Sequence, residues 1–240
     1  MLILALDSTA VSASVAVCRD DTPIAVFHLK NGNTHSETLL PMVRDALSCA
    51  GVTVDDVDLF AVNAGPGSFT GVRIGVATVK GLAFGKNKPV VGVSTLESLA
   101  QNLVPQKDGV ILAPVMNARR GQVYNALFRA ENGAAARLTP DRALAASDLE
   151  TELEKIGAPF LLSGDGVKET EKAFTRLVPL PVSPLLSDQN AVSVAKVAAK
   201  RFAAGEYTSP EALKPFYLRL PQAERERLER EKKSLNGGLR

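Results

Sequence analysis

The feature that most constrains the fold of this chain is a glycine-rich junction between a short apolar segment and an apolar helix. Residues 59–62 are apolar, Gly65-Pro66-Gly67 follows, and a helical pattern of apolar residues begins directly after it. Backbone N–H groups at such a strand–turn–helix junction are free to bind an anion. The junction therefore predicts an α/β protein with a candidate phosphate-binding turn at one end of a sheet.

The helix after this junction has two stripes at helical spacing. The first stripe is apolar and consists of Val72, Val76, Val79 and Ala83. The second lies about a quarter turn away and consists of Gly71, Gly75, Thr78 and Leu82. The first stripe can cover the protein's own sheet, whereas the small residues of the second would let another backbone approach closely. The pattern predicts two packing partners for this helix.

The order of predicted elements occurs twice along the chain. The first round comprises three apolar strands, a helix, the strand–turn–helix junction, and a further strand and helix. From Gly109 a similar order of strands and helices begins again, which indicates an internal duplication. We predict two mixed-sheet subdomains covered by helices, at 1–105 and 106–206, followed by a return segment and charged tail at 207–240.

Three local patterns refine the helices. Capping-box sequences predict helix starts at Thr34 and Ser94. Pro41 interrupts the first helical pattern and predicts a late start or a kink, because its ring and its missing N–H disturb a helix interior. The segment 224–233 alternates in charge sign, which is typical of a solvated terminal helix, with a partner contact as the alternative.

The composition excludes a strong global field for nucleic acid or membrane. The 28 basic and 26 acidic residues nearly cancel, so any contact with RNA must be local or supplied by a partner. Cys18 and Cys49 have no metal-ligand spacing, which is typical of a reducing compartment. Asp7 interrupts the apolar start of the chain, which predicts a buried strand instead of a signal peptide. We predict a cytoplasmic protein with no membrane contact.

Two glycine-containing turns and one acidic turn are candidate nucleotide-binding elements. Asp7-Ser8-Thr9 could hold a hydrated metal ion and a phosphate, or Asp7 and Ser8 could satisfy donors within a turn. The residues that would form a weak nucleotide site are Asp7, Ser8, Gly65, Gly67, Ser68, Gly164 and Gly166. The first glycine turn lacks the Gly-Lys-Ser/Thr ending of a phosphate loop and the final glycine of a dinucleotide fingerprint, so a structural turn is the alternative interpretation.

The chain contains few residues suited to nucleophilic or metal catalysis. Its two histidines are His28, in a predicted strand, and His35, at a helix start. Neither belongs to an HxxxH, HExxH or GxSxG pattern. The sequence thus argues against a Ser-His-Asp hydrolase and against a zinc or iron site of ordinary composition.

Four sequence strings together resemble one family. They are 35–41 (HSETLLP), 63–75 (NAGPGSFTGVRIG), 118–124 (ARRGQVY) and 215–219 (PFYLR). In this order they are similar to the bacterial family of threonylcarbamoyl-adenosine synthesis protein B, the dimerisation subunit of the tRNA adenosine-37 threonylcarbamoyltransferase complex. The resemblance runs from the first strand to Arg219 and leaves the charged tail outside.

This resemblance implies a fold and a function. The implied fold is actin-like, of the duplicated ribonuclease-H type. The implied function is that of a non-catalytic scaffold for a catalytic paralogue (TsaD-like), which transfers a threonylcarbamoyl group to N6 of adenosine 37 in tRNAs that read codons beginning with A. A small ATPase subunit (TsaE-like) joins the pair, and tRNA is contacted indirectly through the complex.

The resemblance also implies which sites this chain lacks. In the paralogue two histidines, four residues apart, hold a metal in the helix after the strand at 90–93, and Thr95 and Leu99 occupy those positions here. Neither can replace an imidazole ligand. Asn117 stands where the family often has an aspartate, which weakens the case for a cation between the halves. We predict no catalytic residues, no metal, and no cofactor required by this chain, with weak binding of ATP or ADP left open.

The family pairs through the two helices of its first half. The predicted interface residues, with His35 and Arg73 at the polar rim, are His35, Leu39, Met42, Val43, Ala46, Gly71, Arg73, Ile74, Gly75 and Thr78. Alone, the chain is expected to form a homodimer through the same surface. The alternative functions are a stand-alone ATP-using phosphotransferase or carbamoyltransferase with Asp7 in its site, and, third, a peptidase.

Overall fold

The first half of the chain forms a five-stranded mixed sheet. The computed structural model describes residues 1–104 and 108–219. The strand order is β3-β2-β1-β4-β5, with β1 to β3 antiparallel and β1, β4 and β5 parallel. The central strands β1 and β4 are buried throughout, because helices cover both faces of the sheet. The strands are β1 (Leu2–Asp7), β2 (Ala13–Arg19), β3 (Thr22–Leu29), β4 (Leu59–Gly65) and β5 (Val90–Ser94).

Alternation along the strands assigns side chains to two cores. Leu4 and Leu6 of β1 point towards α1 (His35–Cys49) and α2 (Phe69–Ala83), which lie side by side on one face. Ile3 and Ala5 point to the other face, where α7 (Ala191–Ala203) packs through small residues. This period of two is the side-chain alternation of a β-strand.

The second sheet repeats the plan of the first with two interrupted strands. Strand β6 is central, β7 and β8 run antiparallel to it, β11 is parallel to it, and β9 and β10 pair with β8 and β7. Leu180 adds a parallel bridge to β11, at the place where β5 stands in the first sheet. The strands are β6 (Ile111–Asn117), β7 (Gln122–Asn125), β8 (Phe128–Glu131), β9 (Ala134–Arg137), β10 (Arg142–Ala145) and β11 (Phe160–Ser163).

The remaining helices complete a duplicated α/β architecture, which the repeated order of elements predicted, and it is of the actin-like type that the family resemblance implied. They are α3 (Thr95–Asn102), α4 (Ala146–Ile156), α5 (Val167–Ala173) and α6 (Pro184–Ser187). Helix α3 packs on the second sheet, and α7 packs on the first. Each subdomain is thus covered in part by a helix from the other half of the chain. The predicted boundaries at 105/106 and 206/207 stay a prediction.

Several local predictions can be compared with these elements. Pro41 lies inside α1 without ending it; Pro41 is exposed, so water can satisfy the carbonyl that lost its donor. Thr34 precedes α1 without a side-chain cap, whereas the Ser94 hydroxyl accepts the Glu97 N–H at the start of α3. The predicted helix at 224–233 and part of the predicted boundary region at 105–109 lie outside the described residues.

Across residues 1–104 and 108–219, no helix has the length and apolar character that crossing a membrane requires.

A buried carboxylate fastens the second half. Glu150 of α4 accepts N–H groups from Thr175, Arg176 and Leu177 at 2.7, 2.6 and 3.0 Å. Burial opposes its ionisation, but these backbone donors outweigh burial and hold the pKa of Glu150 below its ordinary value of 4.5. The contact ties α4 to the segment that follows α5.

Glu150→Gln is expected to lower the urea midpoint at neutral pH. The pKa of Glu150 is lower in the folded state than its ordinary value of 4.5. The ionised carboxylate therefore adds its full contribution to folding stability above pH 4.5, and this contribution is lost as the pH falls through the lowered folded-state pKa. The difference from wild type should therefore shrink on acidification below pH 4.5. Urea unfolding at neutral and acidic pH checks this, with the exposed Glu171→Gln as control; a pH-independent difference would contradict it.

Candidate functional site

The acidic turn after β1 is closed by its own hydrogen bonds. The Asp7 carboxylate accepts the Thr9 N–H at 3.2 Å and the Thr9 hydroxyl at 2.9 Å, and the Asn63 side-chain amide donates to it as well. Asp7 is fully buried. Burial raises the pKa of Asp7 above its ordinary value, against the opposing hydrogen bonds from Asn63 and Thr9. Of the two interpretations of this turn, the geometry favours satisfaction of internal donors.

The glycines of the first junction pack against the chain itself. A side chain at Gly65 would overlap the Phe216 carbonyl oxygen, and one at Gly67 would stand 2.5 Å from the Thr9 carbonyl oxygen. The Ser68 N–H donates to Thr9 at 2.7 Å, so it is not free for an anion. These glycines permit close packing of three chain segments.

The second glycine turn is occupied in the same way. A side chain at Gly164 would overlap the Val115 carbonyl oxygen of β6, and one at Gly166 would stand 3.0 Å from backbone atoms of Val115 and Met116. The Gly166 N–H donates to the Val115 carbonyl at 3.1 Å. The glycines of both turns therefore allow close contacts within the chain itself.

A cavity of about 590 Å³ lies between the two halves, beside these turns. Of the seven predicted nucleotide-binding residues, Gly67 and Ser68 line it, and Asp7, Ser8, Gly65, Gly164 and Gly166 do not. Asp7, which was predicted to hold a hydrated cation beside a nucleotide, is not part of the lining, and its oxygens accept hydrogen bonds from Thr9 and Asn63. Residues that the sequence analysis did not assign to a site supply most of the cavity's polar groups, including Asn117, Arg119, Arg120, Tyr124, Asp165, Tyr217 and Arg219.

Thr95 and Leu99, which the family resemblance matched to metal-binding histidines, belong to the core. Leu99 is fully buried among Leu96, Leu103 and Leu112. Thr95 is also fully buried. Within 1–104 and 108–219, no three His, Cys, Asp or Glu side chains form a group that could hold a metal ion.

Six of the ten residues of the predicted partner interface are buried within the single chain. They are Leu39, Met42, Val43, Ala46, Gly71 and Gly75. The four residues of α1 pack into the core under the first sheet. For the two glycines of α2, the reason is the turn at Ser8. A side chain at Gly71 would overlap the Ser8 carbonyl oxygen, and one at Gly75 would stand 2.6 Å from the Ser8 hydroxyl oxygen. The glycines of the second stripe therefore face the protein's own first sheet.

The other four predicted residues are at least partly exposed. The His35 ring Nε2 lies 2.6 Å from the Ala10 carbonyl oxygen, so His35 anchors α1 to the turn after β1. The Thr78 hydroxyl donates to the Ile74 carbonyl of its own helix at 2.8 Å. Ile74 is half-buried, and Arg73 is exposed. Whether these four contact a partner stays a prediction.

The outer face of α1 and α2 contains apolar residues that the sequence analysis missed. Leu40 is 56% exposed and Phe84 is 73% exposed. Ala77 and Gly81 are exposed on α2 at i, i+4 spacing, and a side chain at Gly81 would meet nothing within 4 Å. The sequence shows small residues at helical spacing on two faces of α2, Gly71 with Gly75 and Ala77 with Gly81. The spacing alone does not indicate which of these two faces the sheet covers.

Arg73 is held at one edge of this face by aromatic side chains. Its guanidinium carbon lies 3.9 Å from the centre of the Phe69 ring, and its Nε donates to the Tyr217 hydroxyl at 3.1 Å. The Phe69 and Tyr217 rings are 4.9 Å apart between centroids. Because Tyr217 also lines the cavity, this cluster joins the outer helical face to the cavity.

The fold and the cavity thus define a duplicated actin-like α/β protein. The family model described as TsaD, tRNA N6-adenosine threonylcarbamoyltransferase, matches residues 30–225. The chain is 33% identical to the TsaB protein of tRNA threonylcarbamoyladenosine biosynthesis from Escherichia coli, over 91% of this chain and 95% of that protein. It is 37% identical to the TsaB protein of Bacillus subtilis, over 68% of this chain and 71% of that protein.

A solved structure agrees with the sequence comparison. YeaZ from Pseudomonas aeruginosa superposes with a TM-score of 0.79 at 32% identity, over 90% of this chain and 99% of that one. The chain belongs to the TsaB (YeaZ) family of tRNA threonylcarbamoyladenosine biosynthesis proteins.

Proposed function

We propose that this chain is a non-catalytic scaffold that pairs with a catalytic threonylcarbamoyltransferase paralogue for the modification of adenosine 37 in tRNA. The observation that carries the proposal is the exposure of apolar and small residues on α1 and α2: Leu40 on α1, Ala77 and Gly81 on α2, and Phe84 directly after α2. Several curated relatives of this chain bear the catalytic name tRNA N6-adenosine threonylcarbamoyltransferase, which supports a shared fold between the partners.

The exposed small residues support close helix packing. Glycine in the middle of an exposed helix lowers helix stability by about 0.8–1 kcal/mol relative to alanine. Nothing within the described chain requires glycine at position 81. A partner helix that crosses α2 at Ala77 and Gly81 would explain the choice, and such a contact with both helices should bury about 1,200–2,000 Å² in total.

Arg73 would supply the polar contact at the rim of this interface. Its guanidinium is already positioned by Phe69 and Tyr217, so little side-chain entropy is lost when a partner carboxylate binds it. When the paralogue is absent, we propose that the same face pairs two copies of this chain. A small ATPase subunit and tRNA would join through the complex.

An omission assay tests the proposed function. The full chain, the catalytic paralogue and the ATPase are combined with unmodified tRNA, ATP, threonine-derived substrate and the metal of the paralogue, and nucleosides are quantified by mass spectrometry. Modification at adenosine 37 is expected to require this chain, and this chain alone is expected to produce none. Modification by the purified chain alone would support the alternative of a stand-alone transferase.

A further inference from the structure

We propose that the cavity between the two halves is a metal-independent RNA-binding site, which takes a single-stranded segment of the tRNA. The phosphates would contact Arg119, Arg120 and Arg219, and a base would stack on Tyr124. This inference rests on the proposed function, because it is the tRNA-modifying complex that brings RNA to the chain.

The first argument is the conformation of the Arg119-Arg120 turn. Both residues have left-handed backbones, with φ of 65° and 55°, which residues other than glycine and asparagine rarely adopt. The turn is fixed by hydrogen bonds from Arg119 N–H to the Asn117 side chain at 2.8 Å and from Gln122 N–H to the Arg119 carbonyl at 3.1 Å. Strained residues held in this way cluster at binding sites, and this turn presents two adjacent guanidinium groups at the cavity.

The second argument is that these cations form no close ion pair, although the Asp165 carboxylate is near enough to Arg119 to interact with its charge. Elsewhere arginines such as Arg137 and Arg201 form ion pairs. Within 1–104 and 108–219, no carboxylate lies in salt-bridge distance of the three cavity arginines. The lining contains one carboxylate, Asp165, which accepts the Asn117 N–H at 3.1 Å and so helps to fix the turn. The cavity therefore carries a local positive charge suited to an anion.

The third argument concerns the class of the anion. Tyr124 and Tyr217 are partly exposed in the same lining, and flat aromatic side chains beside arginines are the elements with which proteins bind single-stranded nucleic acid. An acidic peptide would use the arginines but has no need of flat rings. Arginine also binds phosphate with two parallel hydrogen bonds and needs no bridging cation, which agrees with the engagement of Asp7 inside the protein.

The position of the cavity fits a composite RNA surface. The Phe69, Arg73 and Tyr217 cluster connects the cavity to the outer face of α2. A partner docked on that face would lie next to the cavity mouth. RNA bound by the partner could then continue into the cavity of this chain.

Fluorescence anisotropy of the full chain with a labelled, unmodified anticodon stem-loop RNA tests the proposal. Arg119→Asn combined with Arg120→Asn removes both charges, and asparagine tolerates the left-handed backbone. We expect the Kd to rise about tenfold, and the slope of log K against log salt to become shallower by about 1.4, since each phosphate contact on a single strand contributes about 0.7. EDTA should leave the Kd unchanged, and Tyr124→Leu should weaken binding without changing the salt slope.

The matched control is Arg19→Asn, at the end of β2 that lies away from the cavity, because Arg19 pairs with Leu2 whereas Ser14 pairs with Asp7. An equal loss in this control, an unchanged Kd in the double variant, or a requirement for magnesium would overturn the proposal. So would stronger binding of poly-glutamate than of RNA. Copurification of each variant with the catalytic paralogue separates the RNA-binding proposal from the proposed scaffold function. If the double variant pairs with the paralogue, supports modification and still binds RNA as the wild type does, only the RNA-binding proposal is refuted.

Discussion

Gly71→Ala is expected to lower the free energy of unfolding of the isolated chain by about 3 kcal/mol, and Tm by about 6–12 °C. The added methyl group would overlap the Ser8 carbonyl oxygen, a backbone atom that cannot rotate away. The Ser8 hydroxyl also donates to the Gly71 carbonyl at 2.9 Å, so any shift of α2 away from the turn strains this buried hydrogen bond. Urea and thermal unfolding of the purified chain measure the effect.

Gly81→Ala is the matched control on the same helix. Its new methyl group would meet nothing within 4 Å, so the change should stabilise the isolated chain by up to about 1 kcal/mol through helix propensity alone. The same chemical substitution is therefore expected to have opposite signs at two positions ten residues apart. Equal effects at the two positions would contradict the packing of α2 against the Ser8 turn.

This contrast marks the limit of what the helical pattern could reveal. The spacing of Val72, Val76 and Val79 correctly placed a buried stripe, because apolar side chains at this period are covered by a sheet. The pattern could not reveal that Ser8 approaches from the side and covers Gly71 and Gly75 as well. Such an approach depends on a contact across more than sixty residues of chain, and a local period contains no information about it. Substitution of Gly75 consequently tests the fold and not a partner interface.

The architecture was more predictable than the cavity. Two similar orders of strands and helices were visible in the sequence, and the two sheets follow them. Exchange of α3 and α7 between the sheets was not predictable, since both helices have one apolar stripe that fits either surface. The break between β7 and β8 was not predictable either, because no glycine or proline interrupts residues 122–129.

The cavity escaped prediction because its parts come from five distant segments. Glycine-rich turns drew attention to Gly65 and Gly164, where an added side chain would overlap the carbonyl oxygens of Phe216 and Val115. The Arg119-Arg120 pair was visible as part of a family string, and its adjacent charges were the available signal. Its left-handed backbone, and its meeting with Arg219, required the fold.

Ala77→Arg is expected to abolish copurification with the catalytic paralogue, with a Kd at least about 100-fold higher, equivalent to about 2.8 kcal/mol. Ala77 is exposed midway between Arg73 and Gly81, so a long charged side chain there would hold a partner helix away from α2 and would leave a cation in the centre of an apolar contact. The fold should be unaffected, since an exposed substitution that touches no other element changes stability by about 0.5 kcal/mol or less.

Ala173→Arg provides the matched control for this experiment. Ala173 is an exposed alanine at the end of α5 in the second half, so the variant carries the same added charge and length on a different surface. It should copurify with the paralogue as the wild type does. In the absence of the paralogue, the Ala77→Arg variant should be a monomer when its mass is measured by sedimentation or light scattering. If both variants retain the paralogue equally, the partner binds elsewhere, and the outer face of α1 and α2 loses its proposed role. If Ala77→Arg unfolds at a lower urea concentration than Ala173→Arg, the loss of pairing reflects damage to α2. Pairing must then be measured with Phe84→Ser, because the Phe84 side chain is 73% exposed and can be removed without strain.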